Sequence, residues 1–345
     1  MSQRIVAVCI AAPLVLILGG LALAVPLPYA SYSPGPTFNV LGKDADQAEV
    51  IQVDGAKAYY DDGQIRFTTV LASGYNQKLS LGAALSRWLD PDKAVVPYDV
   101  VHPADSTATQ EKAEGAVEMT TSQDVAKAVA MQELGITVPS AIQIAYVDPT
   151  GPSSRKLLVR DVVKKVDGKP VATSKDIQSA VETHDDGSLV ELRIERDRRE
   201  LTVRIKPAIV DGKPRIGVQL GQGYEFPFTV NLRVDPNVGG PSAGLMFSLA
   251  IYDTLTPGSL TGGRTIAGTG ELLPDGTVGP IGGIAQKIAG AQEAGATLFF
   301  VPKDNCADVK GLDPDLRLVK ATTMHEAREA LQTWVKDPGA TLPTC

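Results

Sequence analysis

The sequence predicts an α+β protein of several domains, preceded by an N-terminal transmembrane helix. An uncharged, mostly apolar run opens the chain, and the remainder of the 345 residues is long enough for two or three domains. Short strand patterns dominate residues 135–207, whereas strands and helices alternate over residues 214–335. These three observations indicate a membrane helix, a β-rich domain and an α/β domain.

The apolar N-terminal segment covers residues 5–25 and follows a cytoplasmic tail of residues 1–4. At 1.5 Å per residue, a helix of this length spans about 31 Å, which matches the hydrocarbon core of a bilayer. Arg4 precedes the segment and the next basic residue is Lys43, so the bulk of the chain is expected outside the cytoplasm. We expect an uncleaved, single-pass anchor in the cell membrane. Small residues at 22–24 leave a cleaved signal peptide as the alternative.

The composition excludes some classes of partner and cofactor. A net charge of -7 without any Lys/Arg-rich block argues against nucleic acid as a partner. The cysteine spacing resembles no metal site, and we expect neither a metal nor another cofactor. Cys306 and Cys345 are compatible with one disulfide in an oxidising compartment, and two free thiols are the alternative.

Residues 26–134 are predicted to form an N-terminal extracytoplasmic α/β region. Residues 64–70 alternate like a strand, and residues 122–134 have a helical pattern with Ser122 as its N-cap and Asp124 in its first turn. This region shows no catalytic constellation, and His102 is expected to be structural or at the surface.

Residues 135–207 form the predicted second domain. Strands are indicated at residues 142–147 and 162–166, and Asp167 and Gly168 mark a tight turn. A helix is predicted to open at Ser174, and two alternating strands follow it.

The predicted third domain covers residues 214–335, before a tail of residues 336–345, and contains a serine in a glycine-rich turn. Ser242 lies in the run GGPSAG, at the start of a predicted helix where unpaired amides point outward. Those amides are suited to an oxyanion, and the expected site is the backbone of Gly240, Pro241 and Ala243. The alternative is an ordinary serine N-cap.

Lys287 lies forty-five residues later in the run GGIAQKIAG. Helical geometry places it in a stripe of small and apolar residues, with Gln286 well away from that stripe. Burial should lower its pKa and supply a neutral amine as a general base. A lysine that reaches water or pairs with an acid is the alternative. Thr269, in the run AGTGE, is predicted to hydrogen-bond this amine, although a turn threonine explains it as well.

These segments resemble the proteolytic domain of Lon-type serine proteases. The resemblance implies that Ser242 is the nucleophile, that Lys287 completes a dyad and that Thr269 supports it. Val238 and Gly239 stand where the family commonly has an acidic residue. The family's ATPase module is also expected to be missing, because the sequence has no G-x-x-x-x-G-K-[ST] loop.

The second domain resembles a PDZ domain of the bacterial type, with DVVKKVDGKPV as the strand-turn-strand segment. The resemblance implies a peptide-binding entry at Gly135, Ile136, Thr137 and Val138. Arg160 stands where the family usually has glycine. A small sheet domain that acts only as a spacer is the alternative.

The whole chain looks like the membrane-anchored, PDZ-containing Lon-like proteases of bacteria. We therefore expect an ATP-independent serine endopeptidase that acts on polypeptides, either alone or as a homo-oligomer. The alternative is a non-catalytic, PDZ-based scaffold at the membrane surface. A Ser-His-Asp hydrolase is disfavoured because the third domain has no G-x-S-x-G elbow.

Overall fold

The computed structural model describes residues 3–103, 106–185, 187–196 and 198–345. Its helices are α1 (Gln3–Ala24), α2 (Leu81–Trp88), α3 (Tyr98–Val101), α4 (Ala108–Glu133), α5 (Ser174–Glu182), α6 (Gly244–Leu255), α7 (Ile284–Glu293) and α8 (Met324–Lys336), with a 3-10 helix at Lys303–Asn305. Its strands are β1 (Tyr29–Asn39), β2 (Ile51–Asp54), β3 (Gln64–Ala72), β4 (Ala94–Pro97), β5 (Ser140–Val147), β6 (Val162–Val166), β7 (Lys169–Pro170), β8 (Val190–Arg196), β9 (Arg199–Ile205), β10 (Ala208–Val210), β11 (Lys213–Arg215), β12 (Val218–Tyr224), β13 (Thr229–Leu232), β14 (Thr265–Gly268), β15 (Glu271–Leu272), β16 (Val278–Gly279), β17 (Leu298–Pro302) and β18 (Arg317–Ala321).

The main sheet joins two regions that are far apart in the sequence. Its strand order is β18-β17-β14-β3-β1-β4, with parallel pairs from β18 to β3 and antiparallel pairs from β3 to β4. Phe67 of β3 stacks on Phe38 of β1 and packs edge-on against Phe247 of α6. The predicted N-terminal region and the predicted third domain therefore share one sheet and one hydrophobic core.

The second sheet is antiparallel, in the order β12-β5-β6-β8-β9, and has a hydrophobic core of its own. Ile144, Leu192 and Ile194 are fully buried in this core, and Ile177 of α5 covers it. β12 pairs with β5 although it lies beyond residue 207, the predicted end of the second domain. The sheet thus extends into the segment that the sequence assigns to the third domain.

Helix α4 connects the two sheets. It begins at Ala108 rather than at Ser122, because Thr107 and Gln110 form a capping box there. Its first turns are half-exposed and polar, so they lack the apolar periodicity on which the prediction depends. Ser122 and Asp124 consequently lie within the helix, and both are buried.

Helix α1 is the candidate membrane segment. Its window Gln3–Leu21 is long and apolar enough to cross a bilayer, and none of that window is buried in the protein. Its length and composition suit a membrane span or a signal sequence.

At the other end of the chain, Cys306 and Cys345 form a disulfide with a Cα–Cα distance of 5.0 Å. This bond fastens the C-terminal tail beside Asn305. The Asn305 side chain bonds both the N–H and the carbonyl of Ile281, just before α7.

Candidate active site

Ser242 lies on the loop between β13 and α6, two residues before the helix begins. Gly240 has φ +93°, a conformation that glycine adopts without strain. Ser242 directly precedes Ala243, the N-cap of α6, so the serine lies at the amino end of a buried helix.

Helix α4 holds this serine loop in place. The Gly240 N–H donates to the Gly115 carbonyl at 3.1 Å, and Ser122 Oγ donates to the Pro241 carbonyl at 2.9 Å. Gly239 lies so close to α4 that an added Cβ would stand 3.2 Å from Gly115 Cα. Helix α4 therefore fixes the serine loop, although the sequence predicts no site residue in the N-terminal region that contains this helix.

Helix α7, which carries Lys287, packs on the face of the main sheet opposite to α6. Lys287 Nζ donates hydrogen bonds to Ser242 Oγ at 2.7 Å and to Thr269 Oγ1 at 3.0 Å. The side chain is 3% exposed, and no carboxylate of the described residues forms an ion pair with it. Burial lowers the pKa of the Lys287 ammonium from its ordinary value of 10.5 to about 7, because the charged form loses its hydration.

Helix α7 presents Lys287 from a tightly constrained start. Its N-cap, Gly283, has φ +68°, and an added Cβ would stand 2.6 Å from Val70 Cγ1, so the position requires glycine. Gln286 is buried too, although the helical pattern placed it away from the apolar stripe. The reason is that α7 packs against β1 and β3 as well as β14 and β17, so more than one face is covered.

Thr269 follows β14 and forms hydrogen bonds with both Ser242 and Lys287. Its hydroxyl donates to the Ser242 carbonyl at 3.0 Å, which leaves an oxygen lone pair to accept from Lys287 Nζ. In a neutral amine, one N–H is then directed at Thr269. The nitrogen lone pair is left free to face Ser242 Oγ.

The serine loop offers fewer oxyanion donors than the sequence predicts. The Gly240 N–H is already bonded to α4, and Pro241 has no N–H. In the part of the chain that the structure describes, the Ser242 and Ala243 N–H groups make no hydrogen bond. These two amides, at the positive end of the α6 dipole, are the available donors.

A cleft of about 320 Å³ adjoins Ser242. Phe38, Phe67 and Met119 supply apolar walls, and Asp235 and Asn237 add polar groups from the serine loop. Eight of the fifteen lining residues belong to β1, β3 and α4. The N-terminal region therefore builds about half of the cleft, a role for which it carries no local sequence signal.

Across the described ranges, no three His, Cys, Asp or Glu side chains gather as metal ligands would.

Two family models match separate parts of the chain. Residues 236–335 match the Lon protease (S16) C-terminal proteolytic domain, and residues 117–206 match a PDZ domain. The chain carries a Lon-type proteolytic domain and a PDZ domain. The Lon match and its relatives support a serine peptidase.

The curated relatives of the Lon-type domain are longer proteins. Lon protease 1 of Bacillus subtilis is 38% identical over 78 residues, which are 23% of this chain and 10% of that protein. Lon protease 1 of Thermus thermophilus is 30% identical over 113 residues, 32% of this chain and 14% of that protein. The chain thus matches about a tenth of the length of these relatives.

One solved structure similar to the second sheet is the PDZ domain of the SdrC-like protein Lin2157 from Listeria innocua. It is 21% identical with a TM-score of 0.22, over 23% of this chain and 92% of that chain.

The PDZ domain contains a cleft of about 570 Å³ between α5 and β12. Ile177 and Val181 of α5 line it opposite Val218 and Leu220 of β12, and Arg215 lies among the lining residues. β12 is the last strand in its sheet, with β5 as its neighbour in the described chain. Its outer edge therefore has backbone groups available for another strand.

The four residues predicted as the peptide entry lie elsewhere. Gly135, with φ +76°, ends α4, and its N–H and that of Ile136 bond carbonyls in the last turn of the helix. Val138 is buried in the main core, and Thr137 is exposed. None of the four lines the PDZ cleft. A glycine followed by an apolar residue is also a helix stop signal, and that is its role here.

A buried ion cluster joins the PDZ domain to α4. Asp124 of α4 is fully buried and contacts Lys127 Nζ at 2.5 Å and Arg160 Nε at 3.1 Å, while Gln143 of β5 donates to it at 2.7 Å. Burial raises the pKa of the Asp124 carboxyl, but the two cations outweigh it and hold the pKa below its ordinary value. Arg160, which stands where the resemblance predicts glycine, has φ +74°, in the left-handed region that favours glycine.

Proposed function

We propose that this chain is a membrane-anchored serine endopeptidase that works without ATP and uses Ser242 and Lys287 as a catalytic dyad. The observation that carries the proposal is the 2.7 Å separation of Lys287 Nζ and Ser242 Oγ, at an amine with a pKa of about 7. At neutral pH, about half of such amines are unprotonated, and only the unprotonated form can take the serine proton.

In the proposed mechanism, Lys287 Nζ takes the Ser242 hydroxyl proton as Oγ bonds to the scissile carbonyl carbon. Thr269 holds one amine N–H, so the nitrogen lone pair stays directed at Ser242. The N–H groups of Ser242 and Ala243 bind the oxyanion of the tetrahedral intermediate. The ammonium then gives its proton to the leaving amine as the C–N bond breaks. Lys287 next activates the water that hydrolyses the acyl-serine ester.

Substrate selection is assigned to the PDZ domain. An extended segment of an unfolded chain, or an exposed C-terminus, would add as a strand to the open edge of β12. Its side chains would enter the apolar cleft formed with Ile177 and Val181. Arg215, which also pairs with Glu182, provides a cation near a terminal carboxylate.

Location and ATP independence belong to the same proposal. Helix α1 would span the cell membrane, with the folded body on the extracytoplasmic side. A disulfide between Cys306 and Cys345 is compatible with that oxidising side. The sequence contains no phosphate-binding G-x-x-x-x-G-K-[ST] loop, which is consistent with hydrolysis that needs no nucleotide.

The test is cleavage of a labelled, unfolded protein by the full chain in detergent. Ser242→Ala and Lys287→Met should each lower kcat/KM by about a thousandfold or more. Ser248→Ala is the matched control, because Ser248 is buried one turn further along α6 and its hydroxyl has no hydrogen-bond partner among the described residues. Turnover should be the same with ATP and after ATP removal. Full activity in either dyad variant would refute the dyad, and an inactive wild type would favour the scaffold alternative.

A further inference from the structure

Helix α2 exposes three large apolar side chains on one face. Leu85, Trp88 and Leu89 are spaced i, i+3 and i+4, so they lie together on the helix surface. Their exposed fractions are 49%, 71% and 73%. Outside α1, Leu89 and Trp88 are the two most exposed large apolar side chains of the described residues. These three side chains therefore do not contribute to the hydrophobic core.

The end of α1 lies directly beside this helix. A Cβ added to Gly82 of α2 would stand 2.8 Å from Leu23 Cδ2 of α1. The Leu27 N–H donates to the Leu79 carbonyl at 2.7 Å, and Ser80 caps the first turn of α2. The exit from α1 and the start of α2 are therefore tied together by backbone bonds. Wherever α1 leaves a bilayer, α2 must lie within a few ångströms of that point.

The opposite side of α2 faces the protein. Ala84 is buried, and α2 packs on β4, which also supports α3. Leu85, Trp88 and Leu89 are called the α2 patch below.

We propose that the α2 patch lies in the interface of the same membrane that α1 spans, so that the folded body is attached at two points. This inference rests on the membrane anchor of the proposed function. The occupant is lipid because the patch continues from α1, whose apolar span has no protein cover and requires lipid. A tryptophan, with an apolar ring and one N–H donor, is typical of that interface.

Charge does not supply the attraction. Arg87 lies in the last turn of α2, but Asp90 and Asp92 follow the helix, and Lys93 is paired with Asp90 at 2.6 Å. Because the two signs are mixed, attachment should depend on apolar insertion and occur on neutral lipid. It should also be insensitive to salt.

The experiment uses the full chain reconstituted into phosphatidylcholine vesicles. The chain has two tryptophans, and Trp334 is buried in the core, so the signal lost in Trp88→Phe reports Trp88. That component should be quenched by lipids brominated near the headgroup and protected from aqueous iodide, at low and at high salt. The control is Ile209→Trp in the Trp88→Phe background, because Ile209 is 58% exposed on β10 of the PDZ side. The new tryptophan should remain accessible to iodide.

Two outcomes at Trp88 would overturn the inference. One is a tryptophan open to iodide and unaffected by brominated lipid. The other is protection that grows with protein density but without quenching by lipid, which would identify a second copy as the occupant. Extraction of the vesicles at alkaline pH reports α1 separately. If alkaline extraction removes the chain, both the membrane anchor and this inference are refuted. If the chain stays in the vesicles but Trp88 is in water, only this inference is refuted.

Discussion

Replacing Lys287 by methionine should abolish activity and, at the same time, stabilise the fold. The fall of its pKa from 10.5 to about 7 corresponds to about 5 kcal/mol, at about 1.4 kcal/mol for each pH unit. Methionine has a similar length and no charge to desolvate. It also removes hydrogen bonds to Ser242 and Thr269, at roughly 1 kcal/mol each. The free energy of unfolding at pH 6 should therefore rise by about 3 kcal/mol.

The pH dependence separates this explanation from a general packing effect. Below pH 7, Lys287 is protonated in both states, so the wild type bears the full desolvation cost. Between pH 7 and 10.5, the unfolded chain keeps a proton that the native chain has lost, so wild-type stability should rise with pH. The advantage of the methionine variant should shrink by about 3 kcal/mol between pH 6 and pH 9.

The assay is urea unfolding in detergent in the Trp88→Phe background, followed by the fluorescence of the buried Trp334. Lys310→Met is the control, because Lys310 is exposed and its replacement should produce no such pH-dependent gain. An equal stability difference at pH 6 and pH 9 would refute the depressed pKa, and with it the reason for assigning Lys287 as the base.

Thr269→Val should lower kcat at least about tenfold with little change in KM, because the amine loses the acceptor that orients it; Thr269→Ser should restore the rate. Ser122→Ala should lower the free energy of unfolding by about 1 kcal/mol and reduce kcat, since the Pro241 carbonyl loses its donor from α4. Reduction of the Cys306–Cys345 disulfide, which spans 39 residues, should lower the free energy of unfolding by about 4 kcal/mol, measured by urea unfolding with and without reductant.

Each of these three expectations has a contrary result. An unchanged kcat in Thr269→Val would mean that Thr269 does not position the Lys287 amine. A Ser122→Ala variant with normal kinetics would mean that the Ser122 hydrogen bond is not needed to hold the serine loop. Equal stability with and without reductant would mean that the disulfide does not stabilise the fold.

The side chains that the structure brings together could be predicted from sequence because each lies in a short, local pattern. Ser242 follows glycines that a close turn requires, and Lys287 lies among small residues at helical spacing. Their pairing also depends on the main sheet, on which α7 packs, and on α4, which holds the serine loop. Of the predicted oxyanion backbone, Pro241 has no N–H, and Gly240 donates its N–H to α4 through a long-range bond that the loop sequence does not reveal.

The supporting elements could not be predicted, because they depend on contacts between distant residues. Ser122 and Pro241 are 119 residues apart, and nothing near either residue indicates the other. β12 contains Gly221 and Gly223, which weaken its strand pattern and obscure its pairing with β5. The sequence at Gly135 resembles a binding motif, but its local role as a helix end is satisfied without any ligand.

The strand order of the main sheet limits when each part of the chain can fold during synthesis. β3 emerges early, yet its parallel partner β14 is made about two hundred residues later, after the whole PDZ domain. Until then, β3 has an open edge and Phe67 lacks Phe247 to cover it. The PDZ domain, with its own core, can fold during this interval, while the Lon-type domain must wait for the C-terminal third of the chain. A truncated product would therefore carry a folded PDZ domain without the Ser242–Lys287 pair, and an unpaired edge of β3 prone to aggregation.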